Sequence, residues 1–217
     1  MLFVCKLSTM KRKETIKMNL LTQNNKIRKT AKHFNVKLFN FSIPAYKSKS
    51  GFTTCPSADI CIKFCYAQKG MYKFSSKWSE LKLQATFKDD FVAAISKDIK
   101  DKKAEFVRVH DSGDYYSKEY LLKWFEIAKQ NPNVKFYSYT NEVNMIKNLK
   151  SIPINFDFIF SDSGKEREFI NKKTDRHTKI FGSLKALKKA NYKDSSEFDL
   201  YATRWFNKSN NVGLIIH

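Results

Sequence analysis

The sequence predicts an α/β protein in which repeated β/α units form a partial TIM-type barrel, with an open doubly wound parallel sheet as the alternative. Three observations carry this reading. Short β-branched or aromatic runs alternate with amphipathic helical stretches at least five times, joined by short links. The chain has 217 residues, fewer than the about 250 of a full eightfold barrel. Hydrophobic residues make up 42% and aromatic residues 15%, so the chain can bury a core and is not a disordered one.

Residues 1–35 carry nine Lys or Arg against one acid, Glu14, and show no sustained apolar period. They are expected to be a basic extension, either a flexible arm or a short helix that orders on a partner. Residues 36–217 are expected to form a single domain. Val36–Tyr46 reads as its first strand and leads into a loop with three cysteines. Ser75–Lys102 reads as one long helix, because Trp78, Leu81, Phe87, Phe91, Ile95 and Ile99 recur at helical spacing. Glu105–His110 is a strand. Ser117 caps a helix whose buried stripe is Leu121, Trp124, Phe125 and Ala128, and Asn131-Pro132-Asn133 ends it. Val134–Thr140 and Phe156–Phe160 read as strands, with a short helix over Glu142–Lys150 between them. Lys165–Lys173 reads as a helix, Lys179–Gly182 as a strand and Ser183–Ala190 as a helix. Phe198–Ala202 and Val212–Ile216 complete the set as strands.

In either architecture the chemistry sits at the carboxyl ends of the strands. That rule selects the cysteine loop, then Asp111-Ser112-Gly113-Asp114, then Tyr139-Thr140-Asn141, then Ser161-Asp162-Ser163-Gly164, then Gly182-Ser183, and predicts one shared rim. Alternation along the second strand pairs Arg108 with His110 and sets both in the barrel lumen, as a functional pair or an internal salt-bridge element. Tyr137 and Tyr139 alternate in the same way and serve as stacking surfaces or core. His177 reads as a surface residue. The glycine-rich dinucleotide fingerprint and the phosphate loop are both missing, and no Ser–His–Asp order points to a hydrolase.

Forty-one Lys and Arg against 21 Asp and Glu give a net charge of +20. Such a surface favours nucleic acid as a partner through the basic face and the N-terminal arm, although a solvated lysine-rich face has the same composition. No apolar run reaches the about 18 residues that a membrane span needs, so no membrane partner is expected. The first seven residues lack a basic lead, which points to a cytoplasmic location.

Cys55, Cys61 and Cys65 lie within eleven positions, which reads as metal binding rather than as a disulfide framework. Three thiolates at Cys-x5-Cys-x3-Cys suit three irons of a 4Fe–4S cluster, with Phe64 and Tyr66 as shields for the sulfurs. Zinc is the rival, with Cys5, His110 or His177 as a fourth ligand, and three unrelated buried cysteines are the plain alternative.

Cys55-Pro56-Ser57-Ala58, Cys61 and Cys65-Tyr66-Ala67 together resemble the phage gene product 88 family. Arg108-Val109-His110-Asp111-Ser112-Gly113-Asp114-Tyr115-Tyr116-Ser117 and Tyr137-Ser138-Tyr139-Thr140 resemble its further blocks. A wider likeness is to radical S-adenosylmethionine barrels, whose cysteine loop follows the first strand with the spacing Cys-x3-Cys-x2-Cys. That likeness implies that S-adenosylmethionine is bound by Ser112, Gly113 and Asp114, with Asp114 accepting from the methionine ammonium. It also implies catalytic or substrate-contacting roles for Arg108, His110 and Asp111, and a place for Tyr139 beside the cofactor. For a phage protein the location implied is the host cytoplasm.

Overall fold

The computed structural model describes residues 18–68 and 76–216. Seven strands form one all-parallel sheet: β1 (Leu38–Phe41), β2 (Phe106–Val109), β3 (Lys135–Thr140), β4 (Phe156–Ser161), β5 (His177–Phe181), β6 (Lys193–Asp194) and β7 (Asn211–Ile215). Their order is β1-β2-β3-β4-β5-β7-β6, and the sheet curls into a half-barrel flanked by helices. Each of the first five strands adds beside its predecessor, and β7 enters between β5 and β6.

The helices are α1 (Asn25–Phe34), α2 (Cys61–Phe64), α3 (Ser76–Thr86), α4 (Phe91–Lys102), α5 (Lys118–Gln130), α6 (Val143–Lys147) and α7 (Leu184–Lys189). Strand alternation sorts the core into two faces. Phe41, Val107, Val109, Phe136, Phe156 and Phe158 point to one side, under Leu83 of α3, Ile95 of α4 and Trp124 of α5. Leu38, Phe106, Tyr137 and Ile159 point to the other, where Ile27 of α1 and Leu200 cover them. Ser117 caps α5 by accepting from the Tyr120 N–H at 3.2 Å, and the predicted stripe from Leu121 to Ala128 is buried.

Four elements differ from expectation. The stretch 18–35 is part of the domain: Leu20 and Leu21 are buried, and Asn24 caps α1 through the Ile27 N–H. Ile27 and Thr30 are the apolar and polar anchors of a stripe too short to stand out among the lysines. Residues 1–17 of the expected arm lie outside the described residues. The long helix is broken into α3 and α4 at residues 87–90, where Asp89 and Asp90 are weak helix formers and Phe87 is exposed. The helix expected over 165–173 is a single 3-10 turn, Arg167–Phe169, because it has almost no apolar face to bury. The strand expected at 198–202 is a 3-10 turn, Asp199–Ala202, whose first N–H is taken by Thr30 Oγ1 at 2.9 Å. Among the described residues no helix is long and apolar enough to cross a membrane.

Candidate functional site

The loop after β1 is stitched to the loops after β2, β3 and β4, which gathers most of the selected residues on one rim. The Asp114 N–H donates to Thr54 O at 3.0 Å. Glu142 accepts from the Ser57 N–H and Ser57 Oγ, each at 2.9 Å. The Cys61 N–H donates to Ser163 O at 3.3 Å, and Ala58 bridges to Gly164. Arg167 pairs with Asp59 at 2.6 Å. Ser183 of the fifth turn instead caps α7 through the Ala186 N–H.

Two glycines make this proximity possible. A Cβ at Gly113 would lie 2.1 Å from Ile43 Cγ1, and its φ of +81° lies in the left-handed region. A Cβ at Gly164 would lie 2.5 Å from Asn141 Oδ1. Gly113→Ala therefore combines backbone strain with overpacking, and a loss of about 2–3 kcal/mol is expected in urea denaturation. A variant with an unchanged midpoint would contradict the close packing of these two loops.

Cys55, Cys61 and Cys65 form no disulfide and are half-buried. The Tyr46 N–H donates to Cys55 Sγ at 3.3 Å, and Asn141 Nδ2 approaches Cys61 Sγ at 3.9 Å. Burial first, and the Asp114 charge second, raise the Cys55 thiol well above its usual range. The donor chemistry suits a thiolate-bound metal: three thiols on one loop, none in a disulfide, two of them met by amide N–H groups. Their arrangement is open, because among the described residues no three His, Cys, Asp or Glu side chains are gathered as a ligand set. The shielding expected of the Phe64 and Tyr66 side chains, and Cys5 as a ligand, fall outside the described part of the structure. The expected fourth ligands are engaged elsewhere: His110 Nε2 meets Tyr120 OH and His177 Nε2 meets Tyr192 OH, each at 2.8 Å. His177 is buried on β5 rather than at the surface, because its ring packs edge-on against Tyr192.

Beside this loop the half-barrel opens a cavity of about 1210 Å³. Tyr46 before the cysteines and Ala67 and Gln68 after them form part of its wall. Arg108, Asp111, Ser112 and Tyr139 also line it. Asp111 accepts from Asn24 Nδ2 at 2.6 Å and from Ser42 Oγ. Ser112 Oγ donates to Ile43 O at 2.7 Å. Arg108 lies over the Tyr139 ring at 4.9 Å and donates through Nη1 to both Asp199 oxygens at 3.0 and 3.1 Å. Lys26 stands 2.9 Å from Asp199 Oδ1, and Tyr137 OH donates to Oδ2 at 2.7 Å. Burial pushes the Asp199 carboxyl up, but Arg108, Lys26 and the Tyr137 bond outweigh it and hold the pKa at about 2.

Two expected residues sit elsewhere. His110 does not share the lumen with Arg108. Its φ of +64° breaks the strand alternation and turns the ring into the helix-side core, against Phe41, Tyr115, Tyr120 and Trp124. Asp114 is buried behind the rim, where it accepts from Thr140 Oγ1 at 2.7 Å and from the Tyr115 and Asn141 N–H groups at 2.8 Å. Its oxygens therefore lock the β2 loop to the β3 loop, and Asp111 is the carboxylate that faces the cavity. Sequence reasoning passed over Lys82, Asn40 and Asp199. A polar Asn40 between Phe39 and Phe41, on the same sheet face as its partner Arg108, was the available signal.

A sequence model for the family described as Gene product 88 matches residues 17–212. The chain is 34% identical over 107 residues to the Gene 88 protein of Mycobacterium phage L5, covering 43% of this chain and 44% of that protein. It is 32% identical over 107 residues to the Gene 88 protein of Mycobacterium phage D29, with the same coverage. The matched region thus spans less than half the length of these relatives. No solved structure matches the chain.

Proposed function

Given that the chain belongs to the gene product 88 family, we propose that its three cysteines hold a 4Fe–4S cluster and that the adjoining cavity is the substrate chamber of a radical S-adenosylmethionine-type enzyme. The observation that carries this reading is the placement of three thiols on the loop after β1, at the carboxyl rim of a parallel half-barrel and beside a large cavity. Cys55, Cys61 and Cys65 would hold the cluster, which would supply single-electron reduction of S-adenosylmethionine when bound. The remaining tasks belong to this chain. Asp111 offers a carboxylate to an ammonium group in the cavity, and Ser112 fixes the turn beside it. Asp114 and Glu142 hold the cysteine loop in position through Thr140, Asn141 and Ser57. The Tyr46 and Asn141 donors tune the sulfurs they face. The open arrangement of the thiols fits a site that closes as metal binds, since ligand assembly and loop folding are linked. Three cysteines outside any disulfide also support a reducing compartment, the host cytoplasm.

Protein purified without oxygen should be brown and contain iron with acid-labile sulfide. Cys55→Ser, Cys61→Ser or Cys65→Ser should each abolish the colour. With a reductant and S-adenosylmethionine it should release 5′-deoxyadenosine. Stoichiometric zinc without iron would replace the cluster by the rival metal, and a brown protein without cleavage would remove the enzyme while leaving the cluster.

A further inference from the structure

The cavity contains a built cationic hook that none of these roles uses. Lys82 of α3 is 4% exposed, an unusual state for an ammonium group. Among the described residues its Nζ makes one hydrogen bond, to Thr22 Oγ1 at 3.0 Å, and it lies over the Phe41 ring at 5.7 Å. An ammonium has three donors, so Lys82 brings spare donor capacity to the cavity that it lines. Burial lowers its pKa to about 8 against the pull of Asp111 and Asp98, which marks the charge as poorly solvated.

The rest of the lining has the same bias. Six basic side chains face three acidic ones. Asp199 is already neutralised by Arg108 and Lys26. Arg28, Lys47, Lys49 and Lys82 make no ion pair among the described residues. Trp78 stands at the wall of the same cavity and is 58% exposed, although the helical stripe predicted it to be buried. A large indole left in water beside cations that form no ion pair among the described residues has the makings of a stacking platform next to charges suited to phosphate.

We propose that the cavity takes a segment of single-stranded nucleic acid, with a base stacked on Trp78 and backbone phosphates met by Lys82, Arg28, Lys47 and Lys49. The volume of about 1210 Å³ exceeds that of an ordinary small-ligand pocket and leaves room for a nucleotide beside the proposed cofactor. This inference names a substrate class for the enzyme proposed above, resting on the cavity being its substrate chamber. It does not depend on the cluster.

The test is fluorescence anisotropy of the full chain with a short fluorescein-labelled single-stranded DNA, on protein with and without metal. Trp78→Ala, at an exposed position, should weaken binding by about 5- to 100-fold, as expected for one lost base stack. Lys82→Met should weaken it about tenfold and lower the salt slope by about one, while Lys82→Arg retains binding. Lys188→Ala, an exposed lysine on α7, should reduce binding far less, and the single strand should bind at least about tenfold more tightly than the duplex of the same sequence. Equal losses for Trp78→Ala and Lys188→Ala, or equal affinity for duplex and single strand, would reduce the effect to diffuse surface charge and overturn the proposal. Binding that persists in the iron-free protein separates this inference from the cluster reading.

Discussion

Asp199→Ala is expected to destabilise the protein by about 3–5 kcal/mol, read as a shift in urea midpoint at neutral pH. Asp199 is fully buried: its carboxylate answers Arg108, Lys26 and Tyr137 OH, and its backbone N–H donates to Thr30 Oγ1. Its removal takes the paired carboxylate away from the Arg108 guanidinium in a site only 7% exposed. It also cuts the Lys26 ion pair between α1 and the 3-10 turn at 199–202, while the backbone bond to Thr30 survives. The double variant Arg108→Met/Asp199→Leu should cost less than the sum of the two single changes, because it removes both charges together. A single variant within about 1 kcal/mol of the parent, on the scale of an exposed ion pair, would sink this account.

The second large effect concerns acid. His110 is held neutral, chiefly by burial and further by the Arg108 charge, with its pKa lowered to about 3. Unfolded imidazole takes a proton near pH 6.5. Between those values the unfolded chain binds a proton that the native chain refuses. The His110 contribution is therefore intact above about pH 6.5 and is lost as pH falls toward 3, by about 4–5 kcal/mol across the window. Asp114 and Glu142 act in the opposite sense, since burial raises both carboxyls and the native state protonates them first. The clean readout is the difference between the parent and His110→Gln in a urea series from neutral to acidic pH. The parent should lose about 1.4 kcal/mol more per pH unit than the variant. Parallel profiles would show that the imidazole is not kept neutral.

Much of the architecture was legible because periodicity reports burial directly. The stripe from Leu121 to Ala128 and the Ser117 cap are purely local signals, and both fold as read. The order of the first five strands follows from short links and right-handed crossovers. The misreadings occurred where a local rule met a tertiary demand. Alternation placed His110 beside Arg108, and one left-handed residue reversed it. The α3 stripe marked Trp78 as core and left Lys82 unremarked, whereas the structure buries the lysine and exposes the tryptophan. Asp199 sat within an apparent strand, and its side-chain partners, 91 residues away at Arg108 and 62 at Tyr137, leave no trace in local sequence. The rim itself was predictable from strand ends, but the division of labour between Asp111 and Asp114 depends on which carboxylate the β3 loop covers.

The entry of β7 between β5 and β6 sets an order on synthesis. As the chain emerges from the ribosome, β1 to β5 can pair one after another, each beside a strand already made. Lys193–Asp194 cannot, since its sheet partner is β7, and that strand lies further along the chain. The ties of α1 to residue 199 wait as well, because Thr30 and Lys26 both answer Asp199. A nascent chain ending before residue 199 would thus carry a growing sheet whose concave side lacks part of its cover. Completion of the half-barrel is a late event, made by residues 199–215 acting together.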